Sequence, residues 1–267
     1  MKQFALLLSI GISCIFLFNS CKKSLEEIED MAAVTSEDIS VLEDFSEQVD
    51  IDIEMALETY NTDAISPLIT FAKPQGTWPN VTTIDFGDGY LRANGRKLRG
   101  KILLSETADI RTPGAVRTIS YDNFSIDSIR MEGSRSCTNN GQNGEGQWYF
   151  TKTAHNIKLM FRDGTTATWN KQYTTVLIEG GDTATGADNV WSSTGASSGS
   201  NRGGHPFTAT ITEPLIKKAD CRWIATGVLD VEVEGEGHTL DFGNGSCDRF
   251  TRVYMPSGES FMVLLRR

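Results

Sequence analysis

Residues 157–173 read Ile157-Lys158-Leu159-Met160-Phe161-Arg162-Asp163-Gly164-Thr165-Thr166-Ala167-Thr168-Trp169-Asn170-Lys171-Gln172-Tyr173. Side chains of alternating character run up to and away from Asp163-Gly164, and an Asp-Gly pair between two such runs is the signature of an antiparallel hairpin closed by a type I′ turn. The same texture continues in both directions. From Val81 onward, short runs rich in Val, Ile, Thr, Phe, Tyr and Trp are separated by Asp88-Gly89, Asn94-Gly95 and Asn244-Gly245. No segment there carries the period of a long helix. The expectation over 81–267 is an all-β domain, an antiparallel meander of roughly a dozen strands closing into a sandwich or half-barrel.

The chain before this domain has another character. Met1-Lys2-Gln3 is a short positive start, and Phe4 to Phe18 is apolar apart from Ser9, Gly11, Ser13 and Cys14. That run is shorter than the ~20 residues a membrane helix needs, and it fits the apolar region of an export signal over 1–20. It ends at Leu17-Phe18-Asn19-Ser20-Cys21, which resembles the lipobox of bacterial lipoproteins and implies lipidation at Cys21. Cys14 is the poorer candidate because it lies inside the apolar run. Each buried acyl methylene contributes ~0.8 kcal/mol of membrane affinity, so a multiply acylated Cys21 would hold the protein on the outer membrane, at either face.

Residues 24–60 carry thirteen Asp and Glu and no Lys or Arg, while the chain from Asn61 onward holds 22 basic and 22 acidic residues. A neutral body has no single-sign field to draw nucleic acid, which argues against that partner. Leu25, Ile28, Val41, Leu42, Phe45, Val49, Ile53 and Leu57 fall near helical spacing among the acids. The segment 21–80 therefore reads as an acidic tether, with one or two short amphipathic helices or a flexible stalk, closed by Pro67, Pro74 and Pro79.

Export places the mature chain where disulfides persist. Cys221 and Cys247 flank a predicted hairpin and are the expected pair, leaving Cys137 over. No Cys/His spacing suggests a metal, and no cofactor is expected. His155, His205 and His238 lie outside any His-Glu-x-x-His pattern, and neither a nucleophile elbow nor a phosphate loop is present. Glu232, Glu234, Glu236 and His238 alternate along a predicted strand and so share one face. That row would suit a cation or sugar hydroxyls, although a solvated outer face is its ordinary meaning. Asp85 with Asp88, and Asp241 with Asp248, offer oxygen ligands without the spacing of a calcium loop. The Gly- and Ser-rich stretch from Ser192 to Gly204 reads as a mobile recognition loop. Trp148, Tyr149, Trp169 and Trp191 flank it and serve either sugar stacking or the core.

Thr83-Ile84-Asp85-Phe86-Gly87-Asp88-Gly89 recurs as Thr239-Leu240-Asp241-Phe242-Gly243-Asn244-Gly245. Such a repeat suits a strand ending in which Gly supplies positive φ and Phe enters the core. With Arg99-Gly-Lys-Ile, Arg117-Thr-Ile-Ser-Tyr-Asp-Asn-Phe124, Glu132-Gly-Ser-Arg135, Thr138-Asn-Asn-Gly141 and Asp241-Phe-Gly-Asn-Gly-Ser-Cys-Asp248, these motifs resemble a group of envelope lipoproteins from Bacteroidota-type bacteria that has no established activity. The resemblance runs from Val81 to the C-terminus and implies a β-rich lipoprotein without supplying catalytic residues. In that setting Glu26 and Glu27 resemble a surface-export signal, and Asp127-Ser128-Ile129 and Asp182-Thr183-Ala184 resemble O-glycosylation sequons at Ser128 and Thr183. The expected function is a non-catalytic binding or structural module at the outer membrane, with a glycan or an envelope protein as partner. The alternatives are a glycan hydrolase whose carboxylates are scattered in sequence and a carrier of lipophilic cargo.

Overall fold

The computed structural model describes residues 23–60, 67–92, 95–183 and 186–264. Cys21 and the expected export signal over 1–20 lie outside the described residues. One helix, α1 (Leu25–Thr59), precedes fourteen strands: β1 (Leu68–Phe71), β2 (Asn80–Asp85), β3 (Tyr90–Leu91), β4 (Lys97–Glu106), β5 (Val116–Ile126), β6 (Ile129–Gln142), β7 (Trp148–Met160), β8 (Thr166–Glu179), β9 (Val190–Ser200), β10 (Pro206–Lys218), β11 (Ile224–Val233), β12 (Glu236–Asn244), β13 (Phe250–Tyr254) and β14 (Ser260–Leu264). All strands belong to one open antiparallel sheet in chain order, with β3 attached beside the path to β4. The all-β meander is as the alternation predicts, and its first strand begins at Leu68.

The acidic segment is a single helix of 35 residues. Ser24 starts it with a capping box: the Ser24 hydroxyl accepts from the Glu27 amide at 3.2 Å, and the Glu27 carboxylate accepts from the Ser24 amide at 2.8 Å. Glu26 and Glu27 thus sit in the first turn, where the helix dipole favours negative charge. Every residue from Asp38 to Val49 is buried, so the sheet curls around the helix. Ile39, Leu42, Phe45, Val49, Ile53 and Ala56 form an apolar stripe at helical spacing that joins one core with Ile84, Leu98, Ile102, Leu229, Leu240 and Val253. The helix backbone comes closest to β11–β14. A second, acidic stripe of Glu43, Glu47, Asp50 and Glu54 looks towards the inward side chains of β5–β8.

The curl has local causes. At Gly100 and Gly133 the backbone takes φ of 76° and 107°, and a Cβ there would lie 2.3 Å from the Asn123 carbonyl oxygen and 2.5 Å from that of Asn156. Ladder register shifts at both places. Such bulges bend a strand and increase its twist. The wrap brings the connection after β10 back to the turn after β5, where Arg222 Nη2 donates to Asp127 Oδ2 at 2.9 Å.

Two local expectations are corrected. The 157–173 hairpin exists as β7 and β8, but its turn is not type I′. Gly164 alone takes positive φ, at 84°, while Asp163 stays at negative φ and its carboxylate accepts from the Thr165 amide at 3.0 Å. The stretch from Ser192 to Gly204 is mainly strand β9, with only Asn201–His205 as a turn. Its small residues are required by close strand approach, since a Cβ at Gly199 would stand 1.9 Å from the Thr168 carbonyl oxygen.

Candidate functional site

Basic side chains reach the helix from the inward face of β5, β6, β7, β8 and β10 and from the connections that follow β3 and β9. Arg92 reaches Asp52, Arg96 and Lys217 reach Asp44, Arg117 reaches Glu54, Arg135 reaches Asp50, Lys171 reaches Glu43 and Glu47, and Arg202 reaches Glu37 and Asp38. Lys152 links two acids, with Nζ 2.9 Å from Glu47 Oε2 and 2.7 Å from Asp50 Oδ2. Burial alone would push both carboxyls up, but Lys152 and Lys171 hold Glu47, and Arg135 and Lys152 hold Asp50, below the ordinary carboxylate range. Lys152 is shifted up in turn: burial opposes its charge and the Asp50 and Glu47 carboxylates overcome it.

The gap bridged by these long side chains is not filled towards the C-terminal end of α1. A cavity of about 430 Å³ opens there between Ile51, Glu54 and Met55 of the helix and strands β5–β9. Its walls include Trp148 and Phe150 of β7, Trp191 of β9 and Leu177 of β8. The Phe150 and Trp191 rings meet edge to face at 5.7 Å, and Lys152 Nζ stands 5.5 Å from the centre of the Trp191 ring. Arg117 lines the cavity too, with Nε donating to Glu106 Oε1 at 2.7 Å. The Cys137 thiol faces the same space, and burial pushes it up to about 11, well away from thiolate reactivity.

Comparisons with protein-family models, curated proteins and solved structures find no match to this chain.

Of the residues singled out in the sequence, Trp148, Trp191, Cys137 and Thr183 line the cavity, while the carboxylate and histidine candidates lie elsewhere. Glu232, Glu234, Glu236 and His238 do not share a face. Glu234-Gly235 is the β11–β12 turn, with Glu234 at φ 50°, so the alternation is broken at the reversal. Glu232 points outward, while His238 is buried and bonds Ser36 of the helix at 2.9 Å. Burial lowers its pKa to about 4. Glu234 accepts from Lys23 and lies 2.6 Å from His205 Nδ1. Asp85 and Asp241 are turn residues: each carboxylate accepts at 2.8 Å from the amide two residues on, Gly87 and Gly243, while Phe86 and Phe242 are buried. Among the described residues no cluster of His, Cys, Asp and Glu could hold a metal.

Cys221 and Cys247 form a disulfide with Cα atoms 5.6 Å apart, and Cys137 is free. Ser128 is exposed in the β5–β6 turn and Thr183 is exposed at the cavity rim. Of the four aromatics, Trp169 is core, whereas Trp148, Tyr149 and Trp191 are half-buried. Sequence reasoning missed Arg117, Lys152, Glu47 and Asp50. The available signal was parity: Lys171 shares its strand face with Ala167, Trp169 and Tyr173, and Arg117 shares one with Ile119.

Proposed function

We propose that this chain is a lipid-anchored, non-catalytic envelope protein that binds a small ligand in the cavity beside the C-terminal half of α1. The observation that carries the reading is the combination of aromatic walls with deep charges already neutralised by one another. A cavity of this size lies at the lower end of the ~300–1,000 Å³ typical of small-molecule sites. A glycoside hydrolase needs one carboxyl kept protonated near neutral pH, and Glu47 and Asp50 are held the other way. Glu43, which burial raises to about 7, does not line the cavity. A cargo carrier needs a dry apolar groove, and here the concave face is occupied by α1 and crossed by ion pairs.

The anchoring half of the proposal rests on the apolar leader, on Cys21 and on the family resemblance. No helix among the described residues is long and apolar enough to cross a membrane. Two measurements test the whole. Cells fed an alkyne fatty acid should label the wild-type chain and not Cys21→Ala. A calorimetric screen of purified protein against small cyclic compounds should give saturable binding that Trp148→Ala removes. Lipid incorporation that survives Cys21→Ala, or turnover of a glycan by purified protein, would overturn the reading.

A further inference from the structure

We propose that the cavity takes a six-membered ring bearing a carboxylate, held by the guanidinium of Arg111 at the cavity mouth. This deepens the small-ligand reading above and rests on it. Arg111 lines the cavity. Among the charged groups that do so it stands apart. Glu47, Asp50 and Lys152 neutralise one another, Glu54 is paired with Arg117, and Arg117 is further held by Glu106. The Glu58 carboxylate accepts from the Gly186 amide at 3.1 Å and so ties the helix end to the turn before β9. The Arg111 guanidinium has no carboxylate within ion-pair distance among the described residues.

The loop that carries Arg111 is fastened. Asn139 of β6 is fully buried, and its side-chain amide donates to the Ile110 carbonyl at 2.8 Å while its oxygen accepts from the Gly141 amide at 2.7 Å. The Asn139 carbonyl accepts from Gly114 at 2.8 Å, and the Asp109 carboxylate accepts from the Arg111 amide at 2.9 Å. A buried Asn spent on one surface loop fixes where the following residue stands. A cation whose backbone is fastened beside an aromatic-walled space offers a seat for a planar anion, because guanidinium matches carboxylate in a two-pronged geometry. Trp148, Phe150 and Trp191 supply the ring contacts, and the volume limits the ligand to one or two rings. An ammonium ligand fits worse, since Lys152 already stands over the Trp191 face.

Carboxylated rings come from two sources, acidic sugars and hydrophobic cyclic acids, and the test separates them. Wild type and Arg111→Gln are titrated calorimetrically with a hexuronate disaccharide, with cyclohexanecarboxylate, and with the neutral counterpart of each. In the wild type one acid binds about tenfold or more tighter than its neutral counterpart, as for one charge-assisted contact. Arg111→Gln abolishes that preference without moving the melting temperature, because the residue is exposed. Binding of the uronate alone marks a glycan source, and binding of the cyclohexane acid alone marks a hydrophobic metabolite. Equal affinity for acid and neutral forms, or acid binding unchanged in Arg111→Gln, overturns the inference and leaves the small-ligand reading standing. No binding by any of the four, combined with an empty wider screen, removes both.

Discussion

Replacing Lys152 by Met tests whether the acidic helix is held by the sheet as described. Lys152 is 7% exposed and bridges Glu47 and Asp50. Removing one partner from a buried ion pair costs about 3–5 kcal/mol, because it strands a charge. Here Glu47 keeps Lys171 at 3.1 Å and Asp50 keeps Arg135, which places the loss near ~3 kcal/mol at pH 7. For a chain of this size that is roughly 6–12 °C in melting temperature. The sign with pH follows from the two carboxyls. Their folded pKa values lie below the ordinary 4.5 and 3.8, so the pairing stabilises above those ordinary values and is lost as pH falls through the depressed ones. Without Lys152 the depression shrinks. The gap between wild type and variant is therefore widest at neutral pH and narrows below about pH 4. Urea unfolding at pH 7 and well below pH 4 measures it. Adding Glu47→Leu to Lys152→Met should recover part of the loss, with a coupling of ~0.5–3 kcal/mol. A loss below about 1 kcal/mol at pH 7, or one equal at both pH values, would refute the account of a helix fixed by ion pairs.

Three further outcomes are expected. His238, held at about 4 by burial, stays neutral while the unfolded chain protonates from about 6.5 downward, so wild type loses ~2 kcal/mol relative to His238→Gln between pH 7.5 and pH 5. Glu43 and Asp38, raised by burial to about 7 and about 6, slope the other way, which is why the measurement is the difference between the two chains by urea titration. Reducing Cys221–Cys247, which are 26 residues apart in sequence, should cost about 3–4 kcal/mol on the loop-entropy model, seen as a lower melting temperature in dithiothreitol. Gly133→Ala places a Cβ 2.5 Å from the Asn156 carbonyl and should lower stability by ~2 kcal/mol or more. Gly164→Ala, with open space around it, should cost only ~1 kcal/mol, and paired thermal scans compare them.

The sheet was legible because its signals are local. Alternation along 157–173 and Asp-Gly or Asn-Gly pairs between runs report strand and turn without reference to the rest of the chain. The repeated Thr-Ile/Leu-Asp-Phe-Gly unit likewise has a local cause, an Asp that caps the amide two residues on while its Phe enters the core. Where local reading failed, a turn or a neighbour intervened. The 232–238 row is broken by a reversal at Glu234-Gly235. The Ser192 to Gly204 stretch is small because Thr168 and Gln172 backbone oxygens crowd it, a contact that composition reads as flexibility.

The acidic segment was the hardest to read because its counter-charges are dispersed. Summed by segment, thirteen acids stand against a neutral body, which is the picture of a solvated arm beside an uncharged domain. The body is neutral only in total. It turns Arg96, Arg117, Arg135, Lys152, Lys171 and Lys217 inward, so its remaining acids dominate the outer surface. Single basic residues on five strands never form a cluster in sequence, yet they sit at the parity of buried neighbours, as Lys217 does beside Leu215 and Lys171 beside Trp169 and Tyr173. A Lys or Arg at an inward position is stable only with an anion to meet it. Reading strand parity first and charge second therefore demands an internal acidic partner, and the only acid-rich, base-free segment of the chain is residues 24–60. On that argument the helix belongs to the core of the β domain, and the cavity beside its C-terminal half is where helix and sheet leave the wider gap unfilled.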